Sequence, residues 1–172
     1  MSAFPCVTRT VMFVHTKSYE FNDKLKIHIS EEIISTWRSQ RQLTKSKNEA
    51  FGALIGSQSE TANEFWLETC TIPQKSDSAT RTSFVMRDPH HQKLVESYYY
   101  RSNGEIGYVG TWHTHPEPTP TPSTIDIMDW KDCMNRNPDR VLIFAIVGQE
   151  QACIFKIFNG TFKLIFKEKI DG

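Results

Sequence analysis

His113, His115, Ser123 and Asp126 lie in one run, Gly110-Thr-Trp-His-Thr-His-Pro-Glu-Pro-Thr-Pro-Thr-Pro-Ser-Thr-Ile-Asp126. Two imidazole nitrogens and one carboxylate oxygen form a ligand set for a divalent transition metal. Three protein ligands leave zinc a fourth tetrahedral position open to water, the arrangement of catalytic rather than structural sites. Zinc can lower the pKa of that water from 15.7 to about 7 and polarise a carbonyl, so amide hydrolysis is the chemistry this set would serve. Singly, the same residues have plainer roles. Tandem histidines often pack or face solvent, Ser123 can act only as a helix N-cap, and Asp126 can do no more than favour a helix dipole. Their conjunction at these spacings points to a metal.

Particular elements are needed to bring these residues together. The β-rich run Ile106-Gly-Tyr-Val-Gly-Thr-Trp-His113 predicts a strand, on which His113 and His115 share a face roughly 7 Å apart. The next seven residues, Pro116 to Pro122, place proline at every second position. That composition favours stiff polyproline II and cannot continue a strand ladder, so it reads as a spacer with little slack. Ser123 then opens a helical pattern in which Ile127, Trp130 and Met134 recur on one face, shared by Asp126. A carboxylate turned toward a core is costly unless paired, and a metal held by two histidines is such a partner.

His113-Thr-His115-Pro116, the spacer and Ser123-Thr-Ile-Asp126 resemble the signature of the JAMM (MPN-plus, JAB-domain) metalloproteases, which cleave peptide or isopeptide bonds after ubiquitin-like proteins. That family also carries a glutamate just before a Gly-x-Leu-x-Gly strand, and Glu49-Ala-Phe-Gly52-Ala-Leu54-Ile-Gly56 is similar. By residue type alone Glu49 is one of twelve glutamates, with the ordinary reading of a solvated residue at a strand start. The resemblance implies that His113, His115 and Asp126 bind zinc, while Glu49 holds the water and shuttles its proton to the leaving amine. It implies that Ser123 helps bind the oxyanion. A positioned base typically contributes 10²–10⁴-fold, and one oxyanion donor on the order of 10²–10³.

The resemblance also implies an α/β fold, a single cytidine-deaminase-like JAB/MPN domain with helices packed on a mixed β-sheet. All five motif positions are matched, unlike the metal-free scaffold members of the family. Length, the Trp-His-Thr-His-Pro segment and the spacer are similar to the stand-alone deconjugating peptidases of bacterial CD-NTase antiphage (CBASS) operons. The implied partner is then a protein with an extended ubiquitin-like C-terminal tail or conjugate, such as a CD-NTase joined to its target. The alternatives are a peptidase that processes sulfur-carrier or ubiquitin-like precursors, and a non-catalytic module that keeps metal as a staple. A zinc deaminase is disfavoured, since its paired cysteines are missing. An extended tail would lie beside an exposed strand, with Phe51–Ser57 and the loop Pro73–Asp88 as candidate edges.

The 172 residues, 38% hydrophobic and 12% aromatic, read as one domain over 1–172, with 1–24 as an N-terminal extension and 25–167 as the core. Twenty basic side chains balance twenty acidic ones, so no bulk charge recruits nucleic acid or an anionic membrane. Apolar runs are too short to span a bilayer and the N-terminus lacks a signal-peptide core, which predicts a cytoplasmic protein, a bacterial one as the resemblance implies. Cys6, Cys70, Cys133 and Cys153 form no Cys-x-x-Cys pair and read as reduced, packed thiols.

The pattern predicts strands at Val11–Val14, Leu25–Ile29, Phe51–Ser57, Glu64–Thr71, Val141–Val147, Ala152–Phe158 and Thr161–Lys167. Asn159-Gly160 marks a type I′ hairpin. Helices are predicted after the caps Ser30, Asp88 and Ser123, with Ile33, Ile34 and Trp37 buried on the first and His91 explained by helix packing on the second. Pro73–Ala79 reads as a polar, mobile loop.

Overall fold

Ile143-Phe-Ala-Ile-Val147 contains no polar residue, and a strand of that composition has to be covered on both faces. In the computed structural model, which describes residues 13–19 and 22–172, it lies inside an eight-stranded mixed sheet. The described strands are β1 (Phe13–Tyr19), β2 (Asn22–Ser30), β3 (Phe51–Gln58), β4 (Glu64–Cys70), β5 (Ser78–Ala79), β6 (Phe84–Val85), β7 (Gly107–Thr114), β8 (Ile143–Val147), β9 (Gln151–Phe158) and β10 (Thr161–Lys169). The helices are α1 (Glu31–Gln40), α2 (Pro89–Arg101) and α3 (Thr124–Arg136). The order across the large sheet is β1-β2-β4-β3-β7-β8-β9-β10, with β2/β4 and β7/β8 parallel and every other pair antiparallel. β5 and β6 pair only with each other.

Alternation along β8 divides the apolar residues between two cores. Ile143, Ala145 and Val147 join Ile33, Ile34 and Trp37 of α1 on one face of the sheet. Phe144 and Ile146 join Trp130 of α3, Phe155 and Cys153 on the other. Gly110 permits the close approach of β7 to β8, since its φ is +145° and a Cβ there would stand 1.6 Å from the Ile143 carbonyl oxygen.

The fold class is the mixed α/β arrangement the resemblance implies, and the predicted elements from Leu25 onward match within about three residues. Asn159 and Gly160 have the positive φ values, 49° and 80°, that a type I′ turn requires. Of the strand predicted at Val11–Val14, Phe13 and Val14 belong to β1, while the first two residues, like Cys6, lie outside the described residues. Cys70, Cys133 and Cys153 are free thiols. Among the described residues no helix is long and apolar enough to cross a membrane.

Two expectations need correction. Phe51–Ser57 is no open edge, because β3 is bonded to β7 along one side and to β4 along the other from Leu54 onward. Where β4 ends, the Thr71 hydroxyl accepts the Ala53 N–H at 2.7 Å. Pro73–Ala79 is no free loop either. Asp77 accepts hydrogen bonds from the backbone N–H groups of Gln74, Arg87 and Asp88, and it bonds His91 Nε2 at 2.7 Å, tying both feet of the excursion to α2.

Candidate active site

β7 presents successive side chains to opposite faces of the sheet, and that alternation places the histidines. Trp112 packs near Trp37 and Thr114 bonds Gln42, both on the α1 side. His113 and His115 therefore share the α3 side, with their Nε2 atoms 3.1 Å apart. The His115 backbone N–H extends the parallel ladder onto the Val147 carbonyl at 3.0 Å, so this residue is held in line beyond the end of β7.

α3 supplies the carboxylate. Ser123 caps it: its hydroxyl accepts the Asp126 N–H at 3.1 Å, and Asp126 Oδ2 accepts the Ser123 N–H at 2.7 Å, a reciprocal capping box. The same carboxylate reaches both histidines, with Oδ1 3.1 Å from His113 Nε2 and Oδ2 3.2 Å from His115 Nε2. Burial opposes the Asp126 charge, but the hydrogen bonds from the two histidines outweigh it and hold the group well below the ordinary carboxylate range. His113, which is buried, is pushed down by desolvation despite Asp126. His115, also desolvated, is raised overall because Asp126 and Glu117 both bond it.

Glu49 enters from the residue pair before β3. Its N–H donates to the Thr80 carbonyl at 2.8 Å, and the following Ala50 is clamped to β7 by Thr114 N–H to Ala50 O and Ala50 N–H to Thr114 Oγ1, each 2.9 Å. The donor atoms of Glu49, His113 and His115 all lie within 4.8 Å of one another. Glu49 is 7% exposed, and desolvation first of all raises its pKa to about 7, with His115 opposing and Asp126 adding to the shift. It is no ordinary solvated strand-start residue.

These donors suit a small tetrahedral cation. Ligand atoms about 2.0–2.1 Å from such an ion stand about 3.3 Å from one another, and the contacts among His113, His115 and Asp126 run from 3.1 to 3.2 Å. Asp126, held well below the ordinary range, and His113, pushed down by desolvation, favour the deprotonated forms a metal requires, whereas His115 is raised by its carboxylate partners and would give up a proton on binding one. Glu117, within the spacer, bonds His115 Nδ1 at 2.9 Å and so fixes the ring with Nε2 toward Asp126, the orienting role outer-shell carboxylates play around metal-bound histidine.

Residues 31–157 match the family model described as prokaryotic homologs of the JAB domain. The chain belongs to that family. Three curated proteins similar to this JAB domain carry the name CD-NTase/cGAS isopeptidase. The one from Escherichia coli (strain TW11681) is 32% identical over 142 residues, 83% of this chain and 88% of that protein. The Pseudomonas aeruginosa (strain BWHPSA011 / Pa011) protein is 28% identical over 81% of this chain and 87% of its own. The Vibrio cholerae serotype O1 (strain ATCC 39315 / El Tor Inaba N16961) protein is 35% identical over 71% and 76%. The fold is similar to the solution structure of protein DSY2949 from Desulfitobacterium hafniense, with a TM-score of 0.53, 23% identity, and 80% and 88% of the two chains covered.

The spacer of this JAB domain is docked as well as stiff. Gln149 N–H donates to Glu117 O at 2.7 Å, and Glu150 and Gln151 N–H both donate to Pro118 O at 3.1 Å. Gly148 leaves room for it, since a Cβ there would meet the Glu117 carbonyl oxygen at 2.6 Å. Between spacer, α3 and the β5–β6 hairpin lies a cleft of about 310 Å³ that ends on Glu49, His115, Ser123 and Asp126. Phe84 of β6 forms one wall, stacked on Phe51 at 4.4 Å and lying 5.5 Å from the His113 ring. Ile125 of α3 also lines the cleft. Sequence reasoning missed Glu117, Phe84 and the hairpin. Glu117 carried a usable signal, as a carboxylate two residues beyond a candidate ligand, whereas a two-residue strand has no readable periodicity.

Proposed function

We propose that this JAB domain is a cytoplasmic, zinc-dependent isopeptidase that cleaves after the C-terminus of a ubiquitin-like or similarly conjugated protein, releasing a CD-NTase from the proteins to which it has been joined. The observation that carries the reading is a desolvated glutamate beside a compact His-His-Asp donor set at the end of a cleft. The names of the three relatives support the choice of substrate.

In this reading His113, His115 and Asp126 hold the zinc, with Glu117 orienting His115. Bound zinc would supply Lewis acidity, lowering the pKa of water to about 7 and polarising the scissile carbonyl. Glu49 takes up the proton of the attacking water and delivers it to the leaving amine, a two-way transfer for which a pKa near 7 is well matched. Ser123 accepts the Asp126 N–H through its oxygen, which turns its hydroxyl hydrogen toward the developing oxyanion. The extended tail lies in the cleft beside β6, the strand within the Pro73–Asp88 segment, where main-chain hydrogen bonds can form without disturbing the large sheet.

The test uses a model fusion carrying a CD-NTase C-terminus ahead of a cleavable partner. Wild type should contain about one zinc per chain and cleave in a chelator-sensitive manner. Glu49→Ala should retain metal and lose turnover by 10²–10⁴-fold. Cleavage that survives this substitution would remove Glu49 as the base, and a wild type that cleaves no tail fusion would favour an interaction module.

A further inference from the structure

Gln42 is fully buried just beyond the end of α1, and its side-chain amide joins three segments that flank the candidate site. Its Nε2 donates to the Arg81 carbonyl at 2.9 Å and to the Lys47 carbonyl at 3.1 Å, while Oε1 accepts the Thr114 hydroxyl at 2.9 Å. Its own backbone carbonyl accepts Gln149 Nε2 at 2.9 Å. Each contact leads to a residue of the candidate site. Lys47 stands two residues before Glu49. Arg81 follows Thr80, whose carbonyl accepts the Glu49 N–H. Thr114 separates the two histidines and also accepts the Ala50 N–H. Gln149 N–H holds the Glu117 carbonyl, and Glu117 orients His115.

A buried amide with both hydrogens and its oxygen engaged is costly to disturb, because each lost partner leaves another buried polar group unpaired. None of these bonds involves the donor atoms of His113, His115 or Asp126. Gln42 thus governs where Glu49 sits relative to the histidines, not whether the histidine and aspartate donors converge.

We infer that Gln42 is a positioning residue, acting through the Thr114 hydroxyl to set Glu49 against the histidine strand. This rests on the reading of Glu49 as the base. Removing Gln42 displaces Glu49, so it lowers kcat and spares KM and bound metal.

Gln42→Met keeps the length of the side chain and removes its hydrogen bonds. It should reduce kcat on the tail fusion on the order of tenfold to a hundredfold, the scale of a displacement of about 1 Å in a catalytic group. KM and zinc content should stay within about twofold of wild type. Thr114→Val should reproduce the loss, Thr114→Ser should restore near-wild-type turnover by keeping the hydroxyl, and the double variant Gln42→Met/Thr114→Val should be no worse than the poorer single one. Thr114→Val also serves if Gln42→Met does not fold, since it cuts the same link. Wild-type kcat in either variant, losses that multiply in the double variant, or a change confined to KM would overturn the inference. Amide exchange at Ala50 separates this from a failure of the proposed function, because it needs no cleavage. Exchange there should accelerate about tenfold or more in Gln42→Met relative to the core amide of Ile146, and an unchanged rate would overturn the positioning role whatever the protein cleaves.

Discussion

Asp126 accepts contacts in three directions at once: from both histidines and from the Ser123 N–H. The residue that would complete the proposed ligand set therefore also starts α3, and the proposed mechanism gives Ser123 two separable duties. As an N-cap its side chain stabilises by about 1 kcal/mol relative to alanine, and glycine at the same position loses only a few tenths. As an oxyanion donor its hydroxyl is worth on the order of 10²–10³ in kcat. Ser123→Gly should accordingly leave the melting temperature close to wild type while turnover falls by that factor, as checked by thermal unfolding and steady-state kinetics on one preparation. Turnover that tracked the small stability loss would leave Ser123 a cap and nothing more.

At the scale of elements, the hairpin that walls the cleft depends on a carboxylate at its neck. The Asp77 side chain is 3% exposed, and its two oxygens accept three backbone N–H groups and bond His91. Desolvation works against that charge, but the His91 bond and the backbone donors prevail and lower its pKa to about 2. A depressed carboxylate contributes stability that is present above its unfolded value, near 3.8, and is lost as pH falls through the folded one. Asp77→Asn turns an amide hydrogen toward backbone donors and should cost about 1–3 kcal/mol at pH 7. The gap from wild type should narrow as pH falls from 5 toward 2, measured by urea unfolding across that range, and a gap independent of pH would exclude a role for the charge. This clasp also marks where sequence reading stopped. His113, His115, Ser123 and Asp126 were legible because strand and helix periods fix which side chains share a face. Glu49 was legible only through family resemblance, since nothing local distinguishes it from eleven other glutamates. Asp77 and His91, fourteen residues apart, meet through tertiary packing, so their periodicities say nothing of one another.

At the scale of the whole molecule, the site is assembled across the boundary between two cores. β7 carries the histidines and is anchored on the α1 side by Trp112, which belongs to the larger core. α3 carries Asp126 and is anchored by Trp130, which stacks on Phe144 at 5.0 Å and packs against Phe155 and Phe162. The donors therefore converge only while both cores hold, so under the proposed function metal binding and folding are linked. Trp130→Ala should cost about 3–5 kcal/mol, a large share of the 5–15 kcal/mol available to an ordinary domain. Because it loosens α3 and leaves β7 intact, it should also weaken zinc binding, although no ligand has been touched. Zinc at a hundredfold excess over its Kd should in turn stabilise wild type by about 2.7 kcal/mol, as for any ligand that binds only the native state. Urea unfolding of both proteins with zinc and with chelator, together with a zinc titration of each, measures all three quantities. Trp130→Ala that loses stability but binds zinc as tightly as wild type would mean that the first turn of α3 is held by its capping box and the histidines alone.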